Sequence, residues 1–227
     1  MTIARAVLLV GSAKPAGTST SEVLGRYLCA RLAERGVATT VLFVGRSPAS
    51  HAERQLLAAL ADANLFVLAT PVYVDSLPYL VTRTLEYVSQ SAPKWRAPCA
   101  FAALINCGFP EPEQCRTALD IAQAFAARAG LDWAGGLALG EGGAIDGGPL
   151  ERLGGLTRHV RAALDLAAAA LAEGHPVPPA AIARLARLMM PARLYTLMGN
   201  IGWRRRAARN DLRSPLDARP FDLDAKG

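Results

Sequence analysis

Five short apolar runs, at residues 2–10, 38–44, 65–69, 99–105 and 133–139, punctuate the chain, each followed by a stretch of helical period. None of the five alternates polar with apolar residues, so none suits a sheet with one wet face; each asks to be covered on both sides. Strands of that kind in alternation with helices specify an α/β domain, a doubly wound parallel sheet of five strands. In such a sheet ligands bind beyond the carboxyl ends of the strands, where the strand order reverses. The loops after the first, third, fourth and fifth strands are therefore the ones to search.

The helical segments have recognisable ends. Thr18-Ser19-Thr20-Ser21 supplies several N-caps and Glu22 a first-turn acid, ahead of the periodic residues Val23, Leu24, Tyr27, Leu28 and Leu32 and a stop at Gly36. Further helices are expected at 52–62, 79–90, 113–129, the last stopped by Gly130, and at 150–173 as one piece. The glycine-rich loop 140–148 is expected to be too flexible for its own side chains to hold: a lid, a subunit contact or a mobile connection. Glu141 and Asp146 in it have no evident basic or metal partner. Gly174-His175-Pro176-Val177-Pro178-Pro179 reads as a linker, which divides the chain into a domain at 1–174 and an extension at 175–227.

Composition excludes several classes. With 52% hydrophobic and 19% charged residues the chain is not mainly disordered. No stretch approaches the roughly 20 uncharged apolar residues of a membrane span, and the first residues lack the order of a signal peptide, which predicts a cytoplasmic protein. Cys29, Cys99, Cys107 and Cys115 form no C-x-x-C pair, which argues against a zinc or iron–sulfur site and against a disulfide scaffold. His51, His159 and His175 fit no metal-ligand or Ser-His-Asp spacing, so neither metal ligands nor catalytic side chains are expected. The net charge of +6 is unevenly placed: from residue 182 onward there are ten basic and four acidic residues, which leaves the rest neutral at fifteen of each.

The loop after the first strand, Gly11-Ser12-Ala13-Lys14-Pro15-Ala16-Gly17-Thr18-Ser19-Thr20-Ser21, is neither a P-loop nor a G-x-G-x-x-G turn. Its hydroxyls sit at a helix N-terminus, where free N–H groups, the positive end of the dipole and Ser/Thr donors hold a phosphate. An over-provided N-cap is the other reading.

These residues resemble the NAD(P)H-dependent FMN reductase group of the flavodoxin-like superfamily. Gly11, Ser12, Lys14 and Ser19, with Thr20 and Ser21 beside it, match its G-S-x-R-x-x-x-x-[ST] phosphate loop, and Pro71-Val72-Tyr73-Val74-Asp75-Ser76-Leu77-Pro78 matches its P-x-Y-x-x-x-x-P loop. Lys14 stands in place of arginine, Asp75 of glycine, Thr82 of lysine and Glu86 of aspartate; a carboxylate at 75 must face solvent to leave an anionic reduced flavin undisturbed. The resemblance spans residues 3–172 and implies FMN as cofactor, NAD(P)H as substrate, and a homodimer with the flavin near its interface. It also implies that Pro71, Val72, Tyr73 and Val74 approach the ribityl chain and ring. An apolar, aromatic loop can cover a flat ring while amides meet its polar edge; packing of the sheet end is the alternative. In the next loop Gly108 permits close approach, and N–H groups around Asn106, Cys107 and Gly108, or the Asn106 amide, would meet the pyrimidine side. Cys107 itself reads as a buried thiol, with no basic neighbour to activate it.

The sequence thus points to a flavoenzyme passing electrons from NAD(P)H to a quinone, free flavin or other small acceptor. The rivals are a non-enzymatic FMN-binding electron carrier, which the neutral body disfavours, and a degenerate flavodoxin-like interaction protein. In the extension, Ile182, Leu185, Leu188 and Met189 oppose Arg184 and Arg187, and residues 191–209 add aromatics and Arg204-Arg205-Arg206. Such a basic amphipathic segment suits packing against the body or a partner subunit, or peripheral contact with an anionic membrane; nucleic acid is not expected.

Overall fold

The computed structural model describes residues 2–45, 51–91, 98–145 and 147–210. Five strands, β1 (Arg5–Val10), β2 (Ala38–Phe43), β3 (Leu65–Pro71), β4 (Ala100–Asn106) and β5 (Asp132–Leu139), alternate with α1 (Thr20–Ala33), α2 (His51–Ala61), α3 (Tyr79–Ser91), α4 (Arg116–Ala129) and α5 (Arg158–Ala172). All neighbouring strands are parallel and the order is β2-β1-β3-β4-β5, so the expected doubly wound sheet is present. The order reverses between β1 and β3, which places the ligand-binding crevice beside the loops that follow those two strands.

The unbroken apolar runs have their reason in the inner strands. β1, β3 and β4 are buried along nearly their whole length, whereas β2 and β5, at the edges, are half-exposed. The two faces are filled differently. Beneath α1 and α5 the core is aliphatic, with Leu8, Val67 and Leu104 meeting Leu24, Leu28 and Leu164. Beneath α2, α3 and α4 it holds an aromatic cluster: the rings of Phe66 and Phe101 lie 5.0 Å apart, and Phe101 meets Phe125 at 5.2 Å, edge to face, and Trp133 at 5.9 Å.

Two expectations about the C-terminal half need revision. The helix at 150–173 is broken: a 3₁₀ segment, Leu150–Thr157, turns at Gly154 (φ 54°, ψ −121°) before α5 begins at Arg158. An L side chain disfavours that backbone, and the Gly154-Gly155 pair ends the regular helix there. The segment 174–179 is not a free linker. β5 carries a bulge between its Trp133 and Gly135 pairings, and at that point the Val177 N–H donates to the Ala134 carbonyl (2.7 Å), capping part of an otherwise open sheet edge. A short helix, α6 (Pro179–Leu185), then buries Ala181 and Leu185 in the aliphatic core. The first compact unit consequently runs through Met189, and the second, Met190–Gly227, contains α7 (Ala192–Arg209). Asp146 and residues 211–227 of the proposed extension lie outside the described residues. Among those described, no helix is long and apolar enough to cross a membrane.

Candidate functional site

The loop after β1 begins at Gly11, whose N–H donates to the Ala69 carbonyl (2.7 Å). A Cβ there would lie 2.6 Å from both Thr70 Oγ1 and Val81 Cγ2, so only glycine allows β1 to end this close to β3 and α3. Ser12 is buried and its Oγ accepts from the Lys14 N–H (3.3 Å); the Lys14 side chain reaches solvent. At the other end Ser19 is the N-cap of α1, its Oγ accepting from the Glu22 N–H at 3.2 Å. Ser19-x-x-Glu22 has the spacing of a capping box, but the Glu22 carboxylate reaches further back, to the Gly17 N–H (2.6 Å), and its second oxygen accepts from Arg26 Nε (2.7 Å). Glu22 is thus a buried anion at the positive end of α1, paired with a cation one turn on.

The hydroxyls singled out from the sequence are committed inside the protein. Thr20 Oγ1 donates to the Gly142 carbonyl (2.8 Å) and Ser21 Oγ to Asn106 Oδ1 (2.7 Å), which ties the start of α1 to the loops after β5 and β4. The Thr20 and Ser21 N–H groups, by contrast, have no hydrogen-bond acceptor among the described residues, although both residues are buried. These are the orphan donors of a helix start. The residues present thus fit a terminal phosphate through backbone N–H groups rather than through hydroxyls, with Arg26 offsetting the Glu22 charge.

After β3, Val72 donates its N–H to the Asn106 carbonyl (2.9 Å), and Tyr73 and Ser76 exchange backbone hydrogen bonds at 3.0 and 3.3 Å. The two residues between them, Val74 (φ 50°) and Asp75 (φ 57°), are both left-handed, the arrangement of a type I′ turn. Asn-Gly is the usual pair at these positions; a β-branched residue there is an outlier. Its side chain gains no packing in return, because Val74 is 98% exposed. Tyr73 beside it and Phe109 in the loop after β4 are also exposed, and Asp75 faces solvent. The turn therefore presents apolar and aromatic surface at the carboxyl edge of the sheet. Pro71, the last residue of β3, is paired in register with Asn106.

Asn106 joins three of the loops: its carbonyl holds Val72, its side-chain oxygen holds Ser21, and a Cβ on Gly142 would come within 2.9 Å of its Nδ2. Cys107 donates its N–H to the Leu139 carbonyl (3.0 Å) and accepts from the Gly142 N–H (2.9 Å), while its thiol lies in the core. Beside Gly108 there is open space: a Cβ would meet nothing within 4 Å.

Three residues here escaped the sequence reading. Cys115, in the 3₁₀ turn Pro112–Cys115, directs its thiol at the Ile105 carbonyl (3.8 Å); its pairing with the Cys107 thiol lowers the Cys107 pKa despite burial and raises that of Cys115, with burial adding to the rise. A spacing of eight across a loop is not a known thiol motif, so no signal marked the pair. Glu22 was read only as a first-turn acid. Glu141, 1% exposed and left-handed (φ 54°), gives the third surprise. Its N–H donates to the Phe109 carbonyl (2.7 Å), and its Oε2 accepts from the Met189 N–H (2.5 Å). A Cβ on Gly140 would lie 2.1 Å from the Pro110 carbonyl oxygen. The described part of loop 140–148 is accordingly held by contacts on both sides, contrary to the expectation that it is too flexible to be held: glycine serves close packing here.

A cleft of about 630 Å³ runs along α1 between Val23, Tyr27 and Arg31 and the segment at Pro149 and Leu150, reaching the loop after β1 at Gly17. Tyr27 in its wall donates its hydroxyl to Asp165 of α5 (3.0 Å). Among the described residues no cluster of three or more His, Cys, Asp or Glu side chains is placed to hold a metal ion.

No protein-family model and no curated protein matches the sequence. Solved structures do match. A flavone reductase superposes with a TM-score of 0.58 at 11% identity, over 81% of this chain and 65% of its own. The rubredoxin oxygen:oxidoreductase of the anaerobe Desulfovibrio gigas gives 0.52 at 16% identity, over 81% of this chain but 37% of that larger protein. An azoreductase from Bacillus anthracis str. Sterne gives 0.50 at 11% identity, over 75% of this chain and 99% of its own. At such identities the likeness is one of fold, and together with the 2-1-3-4-5 strand order it makes this fold flavodoxin-like.

Proposed function

We propose that this chain binds FMN at the carboxyl edge of the sheet, among the loops after β1, β3 and β4. In this reading it acts, as a homodimer, as an NAD(P)H-dependent oxidoreductase toward a quinone, free flavin or other small acceptor. One observation carries the reading. A strained turn that displays Tyr73 and Val74 to solvent shares the switch-point edge with a buried helix start whose Thr20 and Ser21 N–H groups lack acceptors. An apolar face for a flat ring and amide donors for a phosphate are the two halves of an FMN site. Two of the proteins sharing the fold are by name reductases, a flavone reductase and an azoreductase.

When bound, FMN supplies the hydride and electron chemistry, and the protein supplies binding, orientation and electrostatics. Thr20 and Ser21 would hold the phosphate through their N–H groups, Lys14 would screen it from solvent, and Ser12 would fix the loop through its bond to the Lys14 N–H. Ser19 holds the helix start in place as its cap. Pro71, Val72, Tyr73 and Val74 would cover the ring, and the open space beside Gly108 would admit its polar edge, whereas the Cys107 N–H and carbonyl stay committed to Leu139 and Gly142. The Asn106 amide keeps its structural bond to Ser21.

An absorption spectrum of the purified protein, followed by titration with FMN and assay of NADH and NADPH oxidation with a soluble quinone, tests the proposal. Saturable FMN binding with turnover is the expected result. Failure to bind added FMN overturns it, and binding without turnover leaves the electron carrier. A second reading, an interaction protein of this fold without flavin, is favoured by the buried Glu22 carboxylate at the start of α1, where a phosphate would have to settle. It predicts no shift in melting temperature on adding FMN.

A further inference from the structure

We propose that α7 is a docking element for an anionic lipid surface, a role independent of any flavin chemistry in the first unit. The helix has 18 residues. Leu194, Leu197, Met198 and Ile201 recur at the i, i+3, i+4, i+7 spacing that gathers side chains on one helix face, and they are between 42% and 55% exposed. Arg204, Arg205 and Arg209 continue that same face for the last two turns, at three, four and eight residues beyond Ile201. Between Ala192 and Arg209 there are five arginines and no acidic residue.

Charge decides the occupant. The entire +6 of the chain lies beyond residue 181, and α7 holds five of its positive charges without a counter-ion of its own. A parallel pair of copies meeting through this face would set Arg204, Arg205 and Arg209 against their counterparts, and an antiparallel pair would set them against the partner's apolar half with no counter-charge, so neither form of self-association satisfies both halves of the face. A duplex nucleic acid would satisfy the arginines and leave four apolar side chains in water. An anionic bilayer satisfies both: the apolar side chains enter the acyl boundary and the arginines reach back to the headgroups. The helix is not long and apolar enough to cross a membrane, so it would lie on the surface.

The test is sedimentation of the full chain with vesicles of phosphatidylcholine alone or of phosphatidylcholine and phosphatidylglycerol in equal parts. Binding to the mixed vesicles only, weakening as salt is raised, is expected. The triple change Arg204→Ala, Arg205→Ala and Arg206→Ala should lower partitioning about a hundredfold, at roughly 1 kcal/mol per charge at the surface. Leu197→Ser with Ile201→Ser should lower it at least about tenfold. Because those side chains are exposed, the fold should survive, and the salt titration of the unaltered protein gives a reading independent of any variant. Equal binding to both vesicle types, no binding to either, or binding indifferent to both variants overturns the proposal. So does tighter association with duplex DNA than with the mixed vesicles, or a dimer that the Leu197→Ser, Ile201→Ser pair dissociates.

Discussion

The loop after β1 and the turn after β3 share the carboxyl edge of one sheet but stand in opposite energetic conditions. In the first, side chains that look available from the sequence are already spent: Thr20 on Gly142, Ser21 on Asn106, Ser19 on Glu22, and Glu22 on Gly17 and Arg26. In the second, Val74 and Asp75 hold a backbone conformation that costs free energy and point away from everything that would offset it. The fold explains the side chains of the first loop without a ligand, because a helix start wedged against two other loops needs its polar side chains satisfied, and it leaves the Thr20 and Ser21 N–H groups without an acceptor among the described residues. It gives no such account of Val74. Strain that the fold itself does not use is a reason to look for function, so the turn and the N–H groups of the helix start, rather than the hydroxyls of the first loop, are what the proposed ligand would explain.

The largest expected effect breaks the closed side. Ser21→Ala leaves Asn106 Oδ1 buried without its donor, a loss of about 2 kcal/mol in stability by urea denaturation. FMN affinity should change less than threefold, because the hydroxyl never faced the phosphate. A variant with unaltered stability and FMN affinity lowered tenfold or more would reverse the comparison and restore the hydroxyl as a ligand donor.

How much of this was readable in advance follows the range of the forces involved. The parallel sheet was legible because burial on both faces leaves β1, β3 and β4 as unbroken apolar runs. The four loops followed from the rule that ligands bind beyond the carboxyl ends of parallel strands. The partners within the loops were not legible, since Ser21 with Asn106 and Thr20 with Gly142 are pairs 85 and 122 residues apart. Local pattern shows a hydroxyl at a helix start; it does not show whether a distant carbonyl has already taken it. Glycine misled for the same reason. In loop 140–148 it suggested freedom, whereas Gly140 and Gly142 are small because Pro110, Cys107 and Asn106 press against them. The linker at 174–179 deceived similarly: proline-rich sequence marks a break in helix, and only the bulge at Ala134 explains why it is pinned as far as Val177.

A smaller effect, of opposite sign, tests the open side. Val74→Gly removes the clash between Cβ and the following carbonyl in the left-handed region and should stabilise the protein by about 1 kcal/mol, even after the greater chain entropy of glycine. The same change deletes the apolar side chain offered to the ring, so FMN binding should weaken as the melting temperature rises. That divergence is the signature of strain held for binding. If stability and affinity rise together, the turn is merely awkward and the ring is met elsewhere.

The smallest effect concerns what keeps α1 in place. Tyr27 donates to Asp165 of α5, and burial, reinforced by that bond, raises its pKa from 10.0 to about 12. The folded protein holds the phenolic proton more tightly than the unfolded chain does. The contribution is therefore intact below pH 10 and is lost as pH rises towards 12. Cys29 and Cys99, raised by burial from 9.0 to about 12, act in the same direction from pH 9 upward. Tyr27→Phe should consequently flatten, without abolishing, the fall of stability between pH 10 and 12 in urea titrations. At neutral pH it should cost less than Ser21→Ala, because Tyr27 is only half-buried and water can reach the Asp165 carboxylate. If the alkaline slope is unchanged in the variant, the Tyr27–Asp165 bond does not hold α1 to α5, and the committed hydrogen bonds at the N-terminus of α1 must hold the helix without it.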